Sequence, residues 1–313
     1  MNLQSLDGAP RLLIQARLQP VQGTRFQPTG FPDLGPALYS LFDGTQMLLV
    51  ESAQSMANRL EEVCWDRTAN DWVTPLQGLP FVAVNDKNGK LLTTSILEAH
   101  RLNSPYILEG KDKSFTDRLK KELGTDDKMR VDLRKLASVL LKYDINSLIH
   151  GVFLAKSDIA GGRMRLPRVL TAFVEAKNVT VASSGGVKND RVNPSGDAKK
   201  GFGNVPFHRD EFCGELTAFF NIDLAQLRGF GFDADVAELV LALALFKVRR
   251  LLDGSFRPRT ACDLELVGEP EVMRPPGATL QTLAEIEKAL PTLIEKCKSR
   301  FAAPAERTVT YIE

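Results

Sequence analysis

The chain has four cysteines and three histidines in 313 residues, and neither set is clustered. Cys64, Cys213, Cys262 and Cys297 lie far apart with no CxxC pair, and His100, His150 and His208 do not complete a ligand set. That spacing argues against a zinc site and for free thiols in a reducing compartment. No sign of charge dominates: 40 Lys and Arg face 39 Asp and Glu, for a net charge of +1. The molecule as a whole is therefore no polycation, and any nucleic-acid contact has to come from local basic patches. Long apolar runs are also missing. The longest, "VAELVLALALF" at 236–246, is interrupted by Glu238 and too short to span a bilayer. The opening "MNLQSLDGAPRLLIQARLQP" lacks a charged segment followed by an apolar core, so a soluble, cytoplasmic protein without a signal peptide is expected. There is no GxxxxGK[ST], no GxGxxG, no GxSxG and no HExxH, which removes the common phosphate-loop, dinucleotide, serine-hydrolase and zinc-protease readings. No cofactor and no metal is expected, and no enzyme activity.

What is present is ordinary globular composition, 43% hydrophobic and 25% charged, enough to bury a large core. "RLLIQARLQP" (11–20) alternates and reads as a first strand ended by Pro20. A Gly/Pro-rich loop spans 21–35, and "MLLVES" (47–52) is a short strand. "SAQSMANRLEEVCW" (52–65) is helical, with Met56, Leu60 and Val63 on the core side and Gln54, Asn58 and Arg59 off it. Residues 109–135 carry nine basic and seven acidic side chains, the pattern of a solvated helical face. Residues 135–155 read as a buried helix and a strand, 168–183 and 215–230 as long strands, and 233–254 as a helix capped by Asp233 and Gly254. A last strand covers 259–270, and an amphipathic helix over 282–301 is expected to bend or break at Pro291. Without insertions the order is βαββαβ. This points to an α+β fold with a ferredoxin-like palm resembling an RNA-recognition motif. One domain is expected over 1–313, with insertions at about 66–134 and 183–212 and a helical tail at 280–303.

The candidate binding chemistry is basic and aromatic. Residues 183–212 hold five glycines, with five cations against two acids up to Arg209. Lys188, Arg191, Lys199 and Lys200 suit phosphates, Gly freedom allows close backbone approach, and Phe202, Phe207 and His208 are possible wedges or stackers. Composition alone leaves a disordered insert as an equal alternative, and its glycines make folding without RNA unfavourable. "GGRMRLPR" places Arg163, Arg165 and Arg168 at a strand entrance, with Arg163 and Arg165 on one side. Gln54 and Asn58, one turn apart, can face a phosphate track together with Arg59. Arg25 and Phe26 offer a cation and a ring in the first loop, where a buried Phe26 is equally compatible. Arg257 and Arg259 precede the last strand. Asp33 is the one loop acid that a nuclease reading could use, against its common role beside Pro32 as a turn residue.

Four segments, "RLLIQARLQPVQGTRFQPTGFPDLGPALY", "MLLVESAQSMANRLEEVCWD", "SGGVKNDRVNPSGDAKKGFGNVPFHRDEF" and "LALALFKVRRLLDGSFRPRTACDLE", together resemble the RAMP-superfamily backbone subunit of the type I-U, or I-G, CRISPR effector complex. The likeness runs from about residue 8 to 270. It implies an RNA-recognition-like palm with a projecting thumb hairpin. It also implies copies stacked helically along one CRISPR RNA, and guide nucleotides presented to a target DNA strand. Further subunits, a large subunit and a later-recruited helicase-nuclease among them, are implied partners. Relatives in type III complexes cut bound RNA with a loop acid, which keeps a target-RNA endoribonuclease as the alternative.

Overall fold

The structure, a computed structural model, describes residues 6, 8–30, 34–124, 130–254, 256–260 and 262–312. Asp33 lies outside them. The centre is an antiparallel sheet. Its strands are β1 (Arg11–Pro20), β2 (Ala37–Ser40), β3 (Gln46–Glu51), and, much later in the chain, two 19-residue strands and three short ones. Alternation in β1 is realised as expected: Leu12, Ile14, Ala16 and Leu18 are buried while their neighbours face outward.

After β3, α1 (Ala53–Glu62) is capped by Ser52, whose hydroxyl accepts from Ser55 N. The first insertion then supplies β4 (Ala83–Asn85), β5 (Leu91–Thr94) and α2 (Ser114–Leu123), and α3 (Leu133–Tyr143) and α4 (Ile145–His150) follow it. The run expected as one helix is thus two, because Asp144 turns the chain and caps α4 through Asn146 N and Ser147 N. The mixed-charge region is not wholly solvated: Phe115, Leu119 and Leu123 of α2 are buried, and the Phe115 ring meets Tyr143 edge-on. A small hairpin follows, β6 (Val152–Leu154) and β7 (Met164–Leu166).

The long strands β8 (Leu170–Lys188) and β9 (Val205–Asp223) pair with each other along most of their length. The strand expected over 215–230 ends at Asp223, whose carboxylate accepts from Gln226 N and starts helix α5 (Leu224–Gly229). Then come α6 (Ala234–Leu252), β10 (Phe256–Arg259), β11 (Cys262–Leu266), β12 (Glu271–Arg274), α7 (Leu283–Cys297) and β13 (Thr308–Thr310). Helix α7 continues through Pro291 instead of breaking. Pro291 is exposed, so the carbonyl that loses its amide partner sits on the solvent side and can be hydrated. No described helix is long and apolar enough to cross a membrane.

The sheet order is β10-β11-β1-β9-β8-β3-β2, with β12 also on β1. Among the four strands expected to form the palm, the spatial order is last, first, third, second. Cross-strand pairs set the register: Ile14 opposes Phe220 and Ala16 opposes Ala218, which also opposes Val174. These side chains join one apolar cluster with Met56 and Leu60 of α1 and Leu239, Leu243 and Phe246 of α6. Strand β13 returns to pair in parallel with β4, which binds the end of the described chain to the first insertion.

Beneath α1 lies a buried polar network. Arg101 holds Glu61 with two nitrogens, Nε at 2.5 Å and Nη2 at 3.0 Å. Asn146 Nδ2 donates to the same carboxylate at 2.6 Å, and Lys247 Nζ donates to Asn146 Oδ1 at 3.0 Å. Helix α1, helix α4 and the turn before α2 therefore meet on one carboxylate, which α6 reaches through Asn146. Removing one partner of a buried pair leaves a charge without compensation and typically costs about 3–5 kcal/mol. Glu61→Ala is expected to lose stability on that scale in urea melts, with an unchanged far-ultraviolet spectrum at low urea.

Candidate nucleic-acid interface

The head of α1 and the β6–β7 hairpin bring together several of the expected residues. Arg168 Nη1 donates to Ala53 O at 2.7 Å, and its Nη2 donates to Gln54 Oε1 at 2.5 Å. Gln54 Nε2 in turn donates to Asn58 Oδ1 at 3.1 Å. This chain of neutral acceptors holds Arg168 without neutralising it. Arg165, exposed on β7, lies over the Phe153 ring at 4.6 Å from its centroid. Arg163 sits just outside β7, and its Nε donates to Ala160 O at 3.0 Å. Gly151 makes this packing possible. Its φ is +78°, and a Cβ there would fall 2.8 Å from Leu166 O and 3.2 Å from Arg168 Cγ.

The second set stands on an arm. Between Lys177 and Thr180 the β8–β9 ladder carries a bulge, with Asn178 at φ 55°. Gly214 fits opposite because a Cβ there would be 2.8 Å from Lys177 O. Beyond the bulge the pairing continues from Thr180–Cys213 to Lys188–Val205, an extension of about 30 Å at the usual strand rise. Residues 183–212 thus form the outer part of a β-hairpin. Asp190 organises its tip: Oδ1 accepts from Val192 N and Asn193 N at 2.9 and 3.0 Å, and Oδ2 from Gly203 N at 2.8 Å. Those amides hold its carboxyl below the usual aspartate range. Lys188, Arg191, Lys199 and Lys200 are exposed there with no carboxylate partner among the described residues. Phe202 and Phe207 are exposed, and His208 Nε2 lies 3.5 Å from Asp210.

Other expected residues go elsewhere. Phe26 is a correction: it is 1% exposed, its backbone bridges Phe212, and no ring face is open to a base. Arg25 pairs with Glu211 at 2.7 Å, and Arg209 shares that carboxylate at 2.8 Å. Arg257 is paired with Asp263 at 2.5 Å. Arg59 turns from the Gln54–Asn58 face and donates to Pro258 O at 2.8 Å, with Glu62 nearby. These cations are drawn into the protein's own contacts and contribute less free charge than the sequence suggests.

His150 and Phe153 were not among the expected site residues. "SLIHGVFLA" reads as core, and Val152 and Leu154 are indeed buried, but strand alternation points Phe153 outward. His150 is fully buried, and burial, with Lys247, Arg101 and Arg168 nearby, holds its imidazole well below the ordinary value. No group of three or more possible metal ligands occurs among the described residues.

A family model described as "CRISPR-associated protein GSU0053" matches residues 12–181, more than half of the chain. Similar solved structures include a chain of a "CRISPR RNA-guided surveillance complex, pre-nicking", at 14% identity and TM-score 0.41, covering 92% of this chain and 89% of that one. A chain of another "CRISPR RNA-guided surveillance complex" matches at 13% identity and TM-score 0.39, covering 92% and 84%. Csc2 of Thermofilum pendens matches at 9% identity and TM-score 0.35, covering 95% and 80%. No curated protein matches.

Two outcomes follow from this geometry. Asp190→Ala is expected to speed amide exchange at Val192, Asn193 and Gly203 and leave β1 and the part of β9 that pairs with it protected. Since the folded state holds the Asp190 carboxyl low, that tip order is present above the unfolded value, near 3.9, and is lost as pH falls through the lower folded value. For His150 the unfolded chain takes up a proton first. Stability is therefore full above about pH 6.5 and falls as pH drops below it. His150→Phe should flatten the part of the urea-midpoint profile between pH 7.5 and 5 that this residue supplies.

Proposed function

Because the chain belongs to the CRISPR-associated GSU0053 family, we propose that it is the guide-RNA-binding backbone subunit of a CRISPR effector complex of the I-U, or I-G, type. Copies stack helically along one CRISPR RNA and present it to a target DNA strand. The large subunit and a helicase-nuclease are further partners. The subtype rests on the four long sequence segments that carry the resemblance. The strand order of the sheet supports a ferredoxin-like palm, the plan shared by RNA-recognition modules. On this reading the chain is one domain with insertions at 66–134 and 183–212 and a helical tail over 280–303. The β8–β9 arm is the thumb.

The observation that carries the reading is that two groups of cations without a carboxylate partner stand at the head of α1 and on the arm tip. In a chain of net charge +1, Arg165 and Arg168 at the head of α1, and Lys188, Arg191, Lys199 and Lys200 on the arm tip, face no carboxylate among the described residues. Arg25, Arg209 and Arg257 elsewhere on the surface are neutralised. Such groups suit the backbone of a polyanion at two places. The protein then holds the guide by its backbone, and base pairing reads sequence. Arg163, Gln54 and Asn58 belong to the palm contact, and Phe202, Phe207 and His208 are the arm's wedges.

We read the subunit as non-catalytic. Incubated with complementary RNA and Mg²⁺, the assembled complex is expected to leave that RNA uncut. Regularly spaced fragments that vanish on Asp33→Ala would establish the endoribonuclease alternative instead. RNA is expected to co-purify at a fixed number of nucleotides per subunit. Each lost phosphate contact lowers the log–log salt slope of single-strand binding by about 0.7. Replacing Lys188, Arg191, Lys199 and Lys200 together by Ala should therefore lower it by about 2–3. An unchanged slope would remove the arm from the RNA path.

A further inference from the structure

The cleft between the head of α1 and the β6–β7 hairpin, about 520 Å³, is within the range of small-molecule sites. Phosphate binding alone does not explain its lining. His150 forms part of the wall, is 1% exposed, and neither of its ring nitrogens has a hydrogen-bond partner. Buried polar side chains almost always have one, so an orphaned imidazole against a cleft marks a place that something else completes. Kept neutral by its burial and by the surrounding cations, the ring offers one N–H donor and one bare nitrogen acceptor. A phosphate is acceptor-only at its oxygens and would satisfy half of that. A nucleobase edge carries donors and acceptors side by side.

The remaining lining supplies the other parts of a nucleotide site. Arg165 and Arg168 stand at the cleft without a carboxylate partner among the described residues. Phe153 is 43% exposed and already carries the Arg165 guanidinium on its face, a surface on which a base can stack. Arg101 walls the cleft in the left-handed region, φ +51°, a conformation rare for a bulky side chain. It is fixed there by Glu61, which makes the wall rigid.

We propose that this cleft seats one whole nucleotide of the bound strand, its phosphate on Arg165 and Arg168, its base face beside Phe153 and its base edge on His150. The proposal rests on the strand-binding reading above and adds that the protein touches a base as well as the backbone at this point.

The test is a nuclear magnetic resonance titration of the full chain, with labelled histidine, using AMP, CMP, GMP, UMP and ribose 5-phosphate in turn. At least one nucleotide is expected to shift the His150 ring signals and to bind ten-fold or more tightly than ribose 5-phosphate. His150→Phe, which keeps the ring volume, should reduce that preference to within two-fold. Arg168→Ala should weaken every ligand, ribose 5-phosphate included. Equal binding of nucleotides and ribose 5-phosphate, with His150 signals unmoved, overturns the proposal, and the wild-type chain decides this even if a variant fails to fold. Guide RNA retention is measured in parallel. RNA retained with His150 unmoved overturns the base pocket and leaves strand binding standing. Nucleotide binding without RNA retention overturns strand binding and leaves the pocket. Failure of both measurements overturns both.

Discussion

The buried carboxylate of Glu61 is the interaction on which the arrangement depends. It sits at the end of α1, receives two nitrogens of Arg101 and one of Asn146, and through Asn146 reaches Lys247 in the middle of α6. Three cationic or polar side chains from distant parts of the chain are thereby buried with satisfied partners. Apolar side chains of the first insertion, Val84, Leu102 and Phe115 among them, join the same core as β1 and α6, but without that carboxylate Arg101 and Lys247 would be buried with no counter-charge. Through Asn146 of α4, the same carboxylate fixes the segment that leads by Gly151 into the β6–β7 hairpin, and hence the basic cleft, beside the head of α1.

From that point the logic is one of committed and uncommitted charge. An ion pair on the surface adds little stability, on the order of 0–1 kcal/mol, but it removes a cation from the field that a polyanion meets. Glu211 silences Arg25 and Arg209, and Asp263 silences Arg257. The arm tip instead uses its acids, Asp190 and Asp197, on backbone amides, which shapes the loop and leaves Lys188, Arg191, Lys199 and Lys200 unpaired among the described residues. The same economy holds at the head of α1, where Arg168 is positioned by a carbonyl and an amide oxygen, neither of which carries charge.

Local pattern explains what was legible in the sequence. Strand β1 announces itself by alternation, α1 by its apolar spacing and Ser52, and α6 by Asp233 and an almost unbroken apolar surface. Strand β2 left no such trace, because all four of its residues are exposed and no periodicity marks it. "DLAQLRG" follows an alternating run and so reads as strand, and only the cap from Asp223 marks the start of helix α5. For the site, the helical spacing of Gln54 and Asn58 correctly gave one face, while Arg59 was taken away by the carbonyl of Pro258, a partner 199 residues distant. Phe26 shows the same limit: flanked by Thr24, Arg25 and Gln27 it reads as a loop ring, but its pairing with Phe212 across the sheet edge buries it. His150 was hidden inside an apolar run, and what marks it, two nitrogens without partners, exists only in three dimensions.

The central claim is that bound RNA runs from the head of α1 to the tip of the arm. Ultraviolet crosslinking of the purified complex, followed by mass spectrometry of RNA-bearing peptides, addresses it directly. The account predicts crosslinks in peptides that contain Gln54 and Asn58, in those spanning Phe153 and Arg165, and in those spanning Lys188 to Phe202. Crosslinks confined to peptides of α7 and the β13–β4 pair, with none in those three regions, would contradict it.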